Sequence, residues 1–150
     1  MANRESEPGA LFEPSTHSSQ SPAGRVLIIE DNDSVSRGMS DGLTDAGYEV
    51  VTAMDGASGV KLAEEFSPDV VIIDIGLPDR DGYEVARELR SSHVAADAVL
   101  VAASGYGLRA FRQVSDHYVF DHYLLKPVGV ATLSALIEHS MKTRAGGSQQ

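Results

Sequence analysis

Short apolar runs alternate with stretches whose apolar residues recur every three or four positions. The runs are Arg25 to Ile29, Tyr48 to Thr52, Val70 to Asp74, Ala98 to Ala103 and Val119 to Leu125. They are rich in Val, Ile and Leu and too short for buried helices, so they read as strands buried on both faces. Between them lie helical patterns. Asp33 can cap a helix bearing Val35, Met39 and Leu43 on one face, with Gly47 as its stop. Asp55 can cap Ala57 to Phe66, with Pro68 beyond its end, and Asp81 and Glu84 have capping-box spacing for a helix to Ser91. Gly107 to Asp116 places Leu108, Phe111 and Val114 at helical spacing, as Val130, Leu133, Ile137 and Met141 are placed in the last helix.

Five β-α units in succession predict an α/β fold, a doubly wound five-stranded parallel sheet with helices on both faces. Strand order 2-1-3-4-5 sets strands one and three side by side at the switch point, where such sheets bind ligands beyond their carboxyl ends. Four polar groups end the apolar runs there: Glu30-Asp31, Asp74, Ser104 and Lys126. Three carboxylates at one edge attract a hard cation, and Mg²⁺ takes oxygen ligands, waters and phosphate oxygens. Asp31 and Asp74 are candidate direct ligands, Glu30 one acting through water, and the backbone carbonyl near Gly76 a fourth group. A carboxylate can also be a nucleophile toward phosphorus, which makes Asp74, central in the sheet, the candidate acceptor. Lys126 would add positive charge, and Ser104 a hydrogen bond to a phosphoryl oxygen.

Composition narrows the choices. The chain has 150 residues, 42% of them hydrophobic, which suits one domain with a real core. It has no cysteine, so disulfides and thiolate metal sites are excluded. A formal net charge of −10 argues against nucleic acid as a partner. No apolar run approaches the roughly 18 residues of a membrane span, and the N-terminus has no secretory pattern, so a cytoplasmic protein is expected. Residues 1–24 are rich in Ser, Pro, Gly and Glu and read as a disordered tail, and 143–150 as a flexible C-terminal tail; the ordered domain is 25–142. The starting Met favours a complete chain. The five histidines show no ligand spacing.

The segments RVLIIEDND, VVIIDIGLPDRDGYEVAREL, VLVAASGYG and DHYLLKPV resemble the response regulator receiver domain of two-component signalling, over roughly residues 25 to 142. The resemblance implies a flavodoxin-like receiver fold with five helices. It implies that Asp74 is the phosphoacceptor and that Glu30, Asp31, Asp74 and Gly76 hold Mg²⁺. Ser104 and Lys126 then complete the reacting site, Tyr123 stands at the aromatic switch position with Ser104, and Lys126–Pro127 is a cis peptide. The implied donor is a histidine kinase or histidine phosphotransfer protein. The implied output is binding of a downstream protein target or relay of the phosphoryl group, with a weak homodimer possible. Such a domain catalyses its own phosphorylation and dephosphorylation and is not an enzyme acting on other substrates.

Two alternatives stay open: a receiver excised from a hybrid histidine kinase, and a phosphorylation-independent pseudo-receiver. A phosphohydrolase would need a second Asp two positions after the nucleophile, where this chain has Gly76. Gly38 and Gly42 weaken the first helix, which in the family helps dock the histidine-bearing partner. Either they admit a partner helix closely, or the helix is simply weak.

Overall fold

The computed structural model describes residues 22–93, 95–105 and 119–148, with side chains through 143. Five strands, β1 (Arg25–Ile29), β2 (Glu49–Ala53), β3 (Val70–Asp74), β4 (Val99–Ser104) and β5 (His122–Leu125), alternate with helices α1 (Asp33–Asp45), α2 (Gly56–Phe66), α3 (Gly82–Ser91) and α4 (Val130–Ser148). All strand pairs are parallel, in the order β2-β1-β3-β4-β5. The expected helix over Gly107 to Asp116 lies outside the described residues.

Alternation along the central strands builds two cores, because successive side chains leave a strand on opposite faces. Leu27, Ile29, Val71, Ile73, Leu100 and Ala102 point to one face, where Val60 and Ala63 of α2 and Val85 and Leu89 of α3 cover them. Val26, Ile28, Val70, Ile72, Val99 and Val101 point to the other, under Met39 and Leu43 of α1 and Leu133 and Ile137 of α4. β3 and β4 are buried along their whole length, as a central parallel strand covered on both faces must be.

Several boundaries differ from the sequence pattern. α1 is capped by Asn32, whose side chain accepts from the Val35 amide; Asp33 is the first helical residue. Both residue types cap well, and the extended backbone at Asn32 decides between them. β5 begins at His122, because Val119 and Phe120 approach the sheet through a turn. Phe120 is apolar because it is buried against the rings of Tyr83 and Tyr123. Ala23 and Gly24 are tied to the sheet ahead of β1: the Ala23 amide donates to Gly47 O, and Gly24 O accepts from the Glu49 amide, both at 2.9 Å. The expected C-terminal tail from 143 is helical through Ser148, so the end of the apolar spacing at Met141 does not end α4. Once a helix is nucleated by its packed turns, each added residue gains one backbone hydrogen bond, so it can run past its last buried residue.

Candidate functional site

β1 and β3 are neighbours at the middle of the sheet, with Ile29 paired to Ile73. That register puts Glu30 and Asp74 side by side where the two strands end. Carboxylate oxygens of Glu30, Asp31 and Asp74 lie within 4.8 Å of one another. Among the described residues this is the one cluster compact enough to hold a metal ion. Glu30 is 2% exposed and Asp74 7%, whereas Asp31 faces solvent.

The surrounding backbone fixes these groups. The Asn32 amide donates to Glu30 Oε2 at 3.1 Å, and the Gly76 amide to Asp74 Oδ1 at 3.0 Å. Lys126 reaches in from the end of β5, where its amide donates to Ser104 O at 2.8 Å and its peptide bond to Pro127 is cis. Its Nζ lies 2.6 Å from Glu30 Oε1 and 3.4 Å from Asp74 Oδ1. Burial pushes the Glu30 pKa up, and the bond from Lys126 only partly offsets it. The same burial would depress the Lys126 pKa, but the hydrogen bond to Glu30 and the charge of Asp74 outweigh it and hold it above the ordinary lysine value.

A cleft of about 410 Å³ opens over these groups, lined by Glu30, Asp31, Asn32, Asp74, Gly76, Gly105 and Lys126. Ser104 is 1% exposed at the end of β4 and does not line the cleft; its neighbour Gly105 does. Gly76 and Gly105 present no side chain, which leaves the mouth of the cleft open. Tyr123 lies further off on β5, paired with Ala102, half-buried with its ring edge-on to Phe120 at 5.8 Å. Asn32 was not apparent as a site residue, although its amide orients Glu30; an Asn directly after an acidic pair and before a helix was the available signal.

The donor set fits a hard divalent cation. Every candidate ligand is an oxygen, and three carboxylates face one ammonium, which leaves excess negative charge in a partly buried cleft.

Comparison with known proteins agrees with this geometry. The family model of the response regulator receiver domain matches residues 26–138. The chain belongs to that family. The receiver is 36% identical over 126 residues to the transcriptional regulatory protein PdtaR of Mycobacterium tuberculosis, a match covering 83% of this chain and 60% of the relative. It is 34% identical over 124 residues to the transcriptional regulatory protein KdpE of the same species, covering 83% and 54%. The match therefore spans under two thirds of either relative's length. Among solved structures, the chemotaxis response regulator CheY4 of Vibrio cholerae aligns with a TM-score of 0.71 at 27% identity, over 77% of this chain and 97% of that one. The response regulator TrrA of Thermotoga maritima, in complex with Mg²⁺–BeF, aligns with a TM-score of 0.69 at 27% identity, again over 77% and 97%. Among the described residues, no helix is long and apolar enough to cross a membrane.

Proposed function

We propose that this receiver accepts a phosphoryl group on Asp74 from the phosphohistidine of a histidine kinase or phosphotransfer protein. An Asp74 oxygen attacks phosphorus, the bond from phosphorus to the imidazole nitrogen breaks, and the departing nitrogen takes a proton from water. The observation that carries this reading is the placement of the buried Asp74 carboxylate, 3.4 Å from Lys126 Nζ and within an acidic trio at the open cleft. Glu30, Asp31, Asp74 and the Gly76 carbonyl would hold Mg²⁺, a reading the TrrA complex supports. When bound, Mg²⁺ supplies positive charge against the phosphoryl oxygens. Lys126 is close enough to Asp74 to neutralise an oxygen of the transferred group, and the Gly76 amide donates to the same Asp74 oxygen that the lysine approaches, Oδ1, holding the carboxylate in one orientation.

The Ser104 hydroxyl is the candidate donor to a phosphoryl oxygen, with Tyr123 responding as the switch. Their placement on the paired strands β4 and β5, Ser104 buried at the end of β4 and Tyr123 half-buried two register positions back, supports a coupled movement, a local charge change biasing a two-state element. The histidine-bearing partner docks at a groove of about 420 Å³ beside the site, where Ser34, Val35, Gly38 and Met39 of α1 face Pro127 and Val128. The output is binding of a downstream protein or onward relay, in the cytoplasm, and the domain turns over no separate substrate. A receiver working within a hybrid kinase would use the same site. The pseudo-receiver reading is disfavoured by the intact acidic trio and lysine.

Intact mass after incubation with acetyl phosphate and Mg²⁺ tests the reading. One phosphoryl adduct is expected on the wild type, absent from Asp74→Asn and prevented by chelator. No adduct, with a cognate phosphohistidine donor also failing, overturns it.

A further inference from the structure

Asp79 lies on the loop between β3 and α3, three residues beyond Gly76, and does not line the cleft. Its carboxylate reaches across to the start of α2, where Oδ1 accepts from the Gly56 amide at 2.8 Å and Oδ2 from the Ala57 amide at 3.1 Å. α2 already has its own cap: Asp55 Oδ1 accepts from the Ser58 amide at 2.8 Å. The opening amides of this helix are thus shared between a local carboxylate and one from a segment 23 residues away in sequence.

Asp55 caps the helix locally, whereas Gly56 is buried beneath the loop and α3, so its amide is met by the loop's own carboxylate and not by open solvent. The second carboxylate therefore bears on the loop that carries it. That loop is held closely elsewhere. The Gly82 amide donates to Ile75 O at 3.1 Å, and a Cβ on Gly82 would lie 2.7 Å from Asp74 O. A Cβ on Gly56 would lie 2.8 Å from Val85 Cγ2 and 3.3 Å from Arg80 Cβ, so loop and α3 are seated directly on the start of α2. Between these anchors sits Gly76, which has no side chain to lock its own position.

We propose that Asp79 is a positioning residue for the phosphoryl and metal site, clamping the loop after Asp74 onto α2 so that the Gly76 amide stays on Asp74 and its carbonyl stays at the cleft. The inference rests on the metal-site reading above. The Gly56 amide, the largest influence on it, holds the Asp79 pKa below the usual carboxylate value, so the clamp stays charged at neutral pH.

Hydrogen exchange at the Gly76 amide in metal-free protein, together with calorimetric titration of Mg²⁺, tests the clamp in Asp79→Ala, Asp79→Asn and Asp55→Ala. Asp79→Ala should speed Gly76 exchange and weaken Mg²⁺ binding by roughly tenfold, the low end of what losing a group that orients metal ligands costs. Asp79→Asn, which keeps an acceptor oxygen, should recover part of both. Asp55→Ala removes a cap from the same helix without touching the loop, so it should lower the melting temperature and leave both readouts near wild type. Wild-type values in Asp79→Ala, or equal changes in Asp55→Ala, would mean that Asp79 only caps a helix and would overturn the proposal. A wild type that takes up no Mg²⁺ overturns the metal-site reading instead, and Gly76 exchange alone then decides the clamp.

Discussion

The Lys126 ammonium lies closer to Glu30, at 2.6 Å, than to Asp74, at 3.4 Å. The acceptor carboxylate is therefore not the lysine's nearest partner. Glu30, the most buried acid of the trio, takes the closer contact, and Asp74 is left with an oxygen oriented by the Gly76 amide. This division sets the ammonium against the group that burial penalises most and keeps the acceptor available at the cleft.

The arrangement has a stability cost that Asp74→Asn should relieve. Asp74 faces two carboxylates and one ammonium. At an effective dielectric of about 20, each carboxylate near 4.8 Å repels it by roughly 3 kcal/mol, and an ammonium at 3.4 Å attracts it by about 5 kcal/mol. The net sign is repulsive, and solvent at Asp31 reduces it further. Metal-free Asp74→Asn should be more stable than wild type by about 1 kcal/mol, read by urea unfolding in chelator, while losing the phosphoryl adduct. Added Mg²⁺ should narrow the difference, because it stabilises only a protein that binds it well. A destabilised metal-free variant would show that the lysine contact outweighs the repulsion.

Glu30 gives the site a pH dependence. Its folded-state pKa is raised by burial above the ordinary value, so the folded protein binds the proton more tightly than the unfolded chain does. Its contribution to stability is fully present below the ordinary Glu value and is lost as pH rises through the raised one. Metal-free wild type should lose stability across that window, and Glu30→Gln should flatten the slope. Mg²⁺ binding needs the ionised form, so affinity should weaken on acidification beginning above the usual carboxylate range. Unfolding and Mg²⁺ titrations at several pH values check both slopes.

The strands and the acidic site were legible in the sequence for one reason. A parallel strand covered on both faces reads as an unbroken apolar run, and the polar residue that ends the run marks the ligand edge. Glu30, Asp31, Asp74 and Lys126 all stand at such ends. Phe120 misled for the opposite reason: it is apolar through contacts with Tyr83 and Tyr123, not through strand pairing, so β5 is shorter than its apolar run. Asp79 was invisible because its partners, Gly56 and Ala57, are remote in sequence. No local pattern separates a carboxylate that clamps a distant helix from one that simply faces water.

Gly38 and Gly42 look alike in sequence and differ in the fold. A Cβ at Gly38 meets nothing within 4 Å, whereas one at Gly42 would lie 2.4 Å from Val130 Cγ1 and 2.7 Å from Val130 Cγ2. The room at Gly42 is thus taken by α4 of the same chain. Gly38→Ala should stabilise by roughly 0.5–1 kcal/mol through helix propensity. Gly42→Ala should gain the same propensity and still lose about 1–3 kcal/mol to overpacking against Val130. Chemical denaturation of the two variants compares them, and a stabilised Gly42→Ala would show that α1 and α4 separate at little cost.

Arg90 fastens the opposite end of the sheet from the cleft. From the last turn of α3 its Nε donates to Val119 O at 3.2 Å, and its Nη1 to Ala96 O at 3.2 Å and Ala98 O at 2.7 Å. Nη2 donates to Asp121 Oδ2 at 2.7 Å, the same oxygen that accepts from the Leu100 amide at 2.8 Å. One guanidinium thus joins α3, the turn before β4 and the approach to β5. A planar fork can address these acceptors together, and a single ammonium cannot. Arg90→Lys should therefore lose most of the stability that Arg90→Ala loses, about 1–3 kcal/mol for buried acceptors left without donors. The charge itself contributes little, because the ion pair with Asp121 is partly exposed, so added salt should leave the wild-type melting temperature nearly unchanged. Full rescue by lysine, or a strong salt dependence, would assign Arg90 a charge role in place of its geometric one. Because β5 leads into Lys126, the Arg90→Ala variant should also show faster amide exchange along β5 than along β1, where no bond to Arg90 reaches.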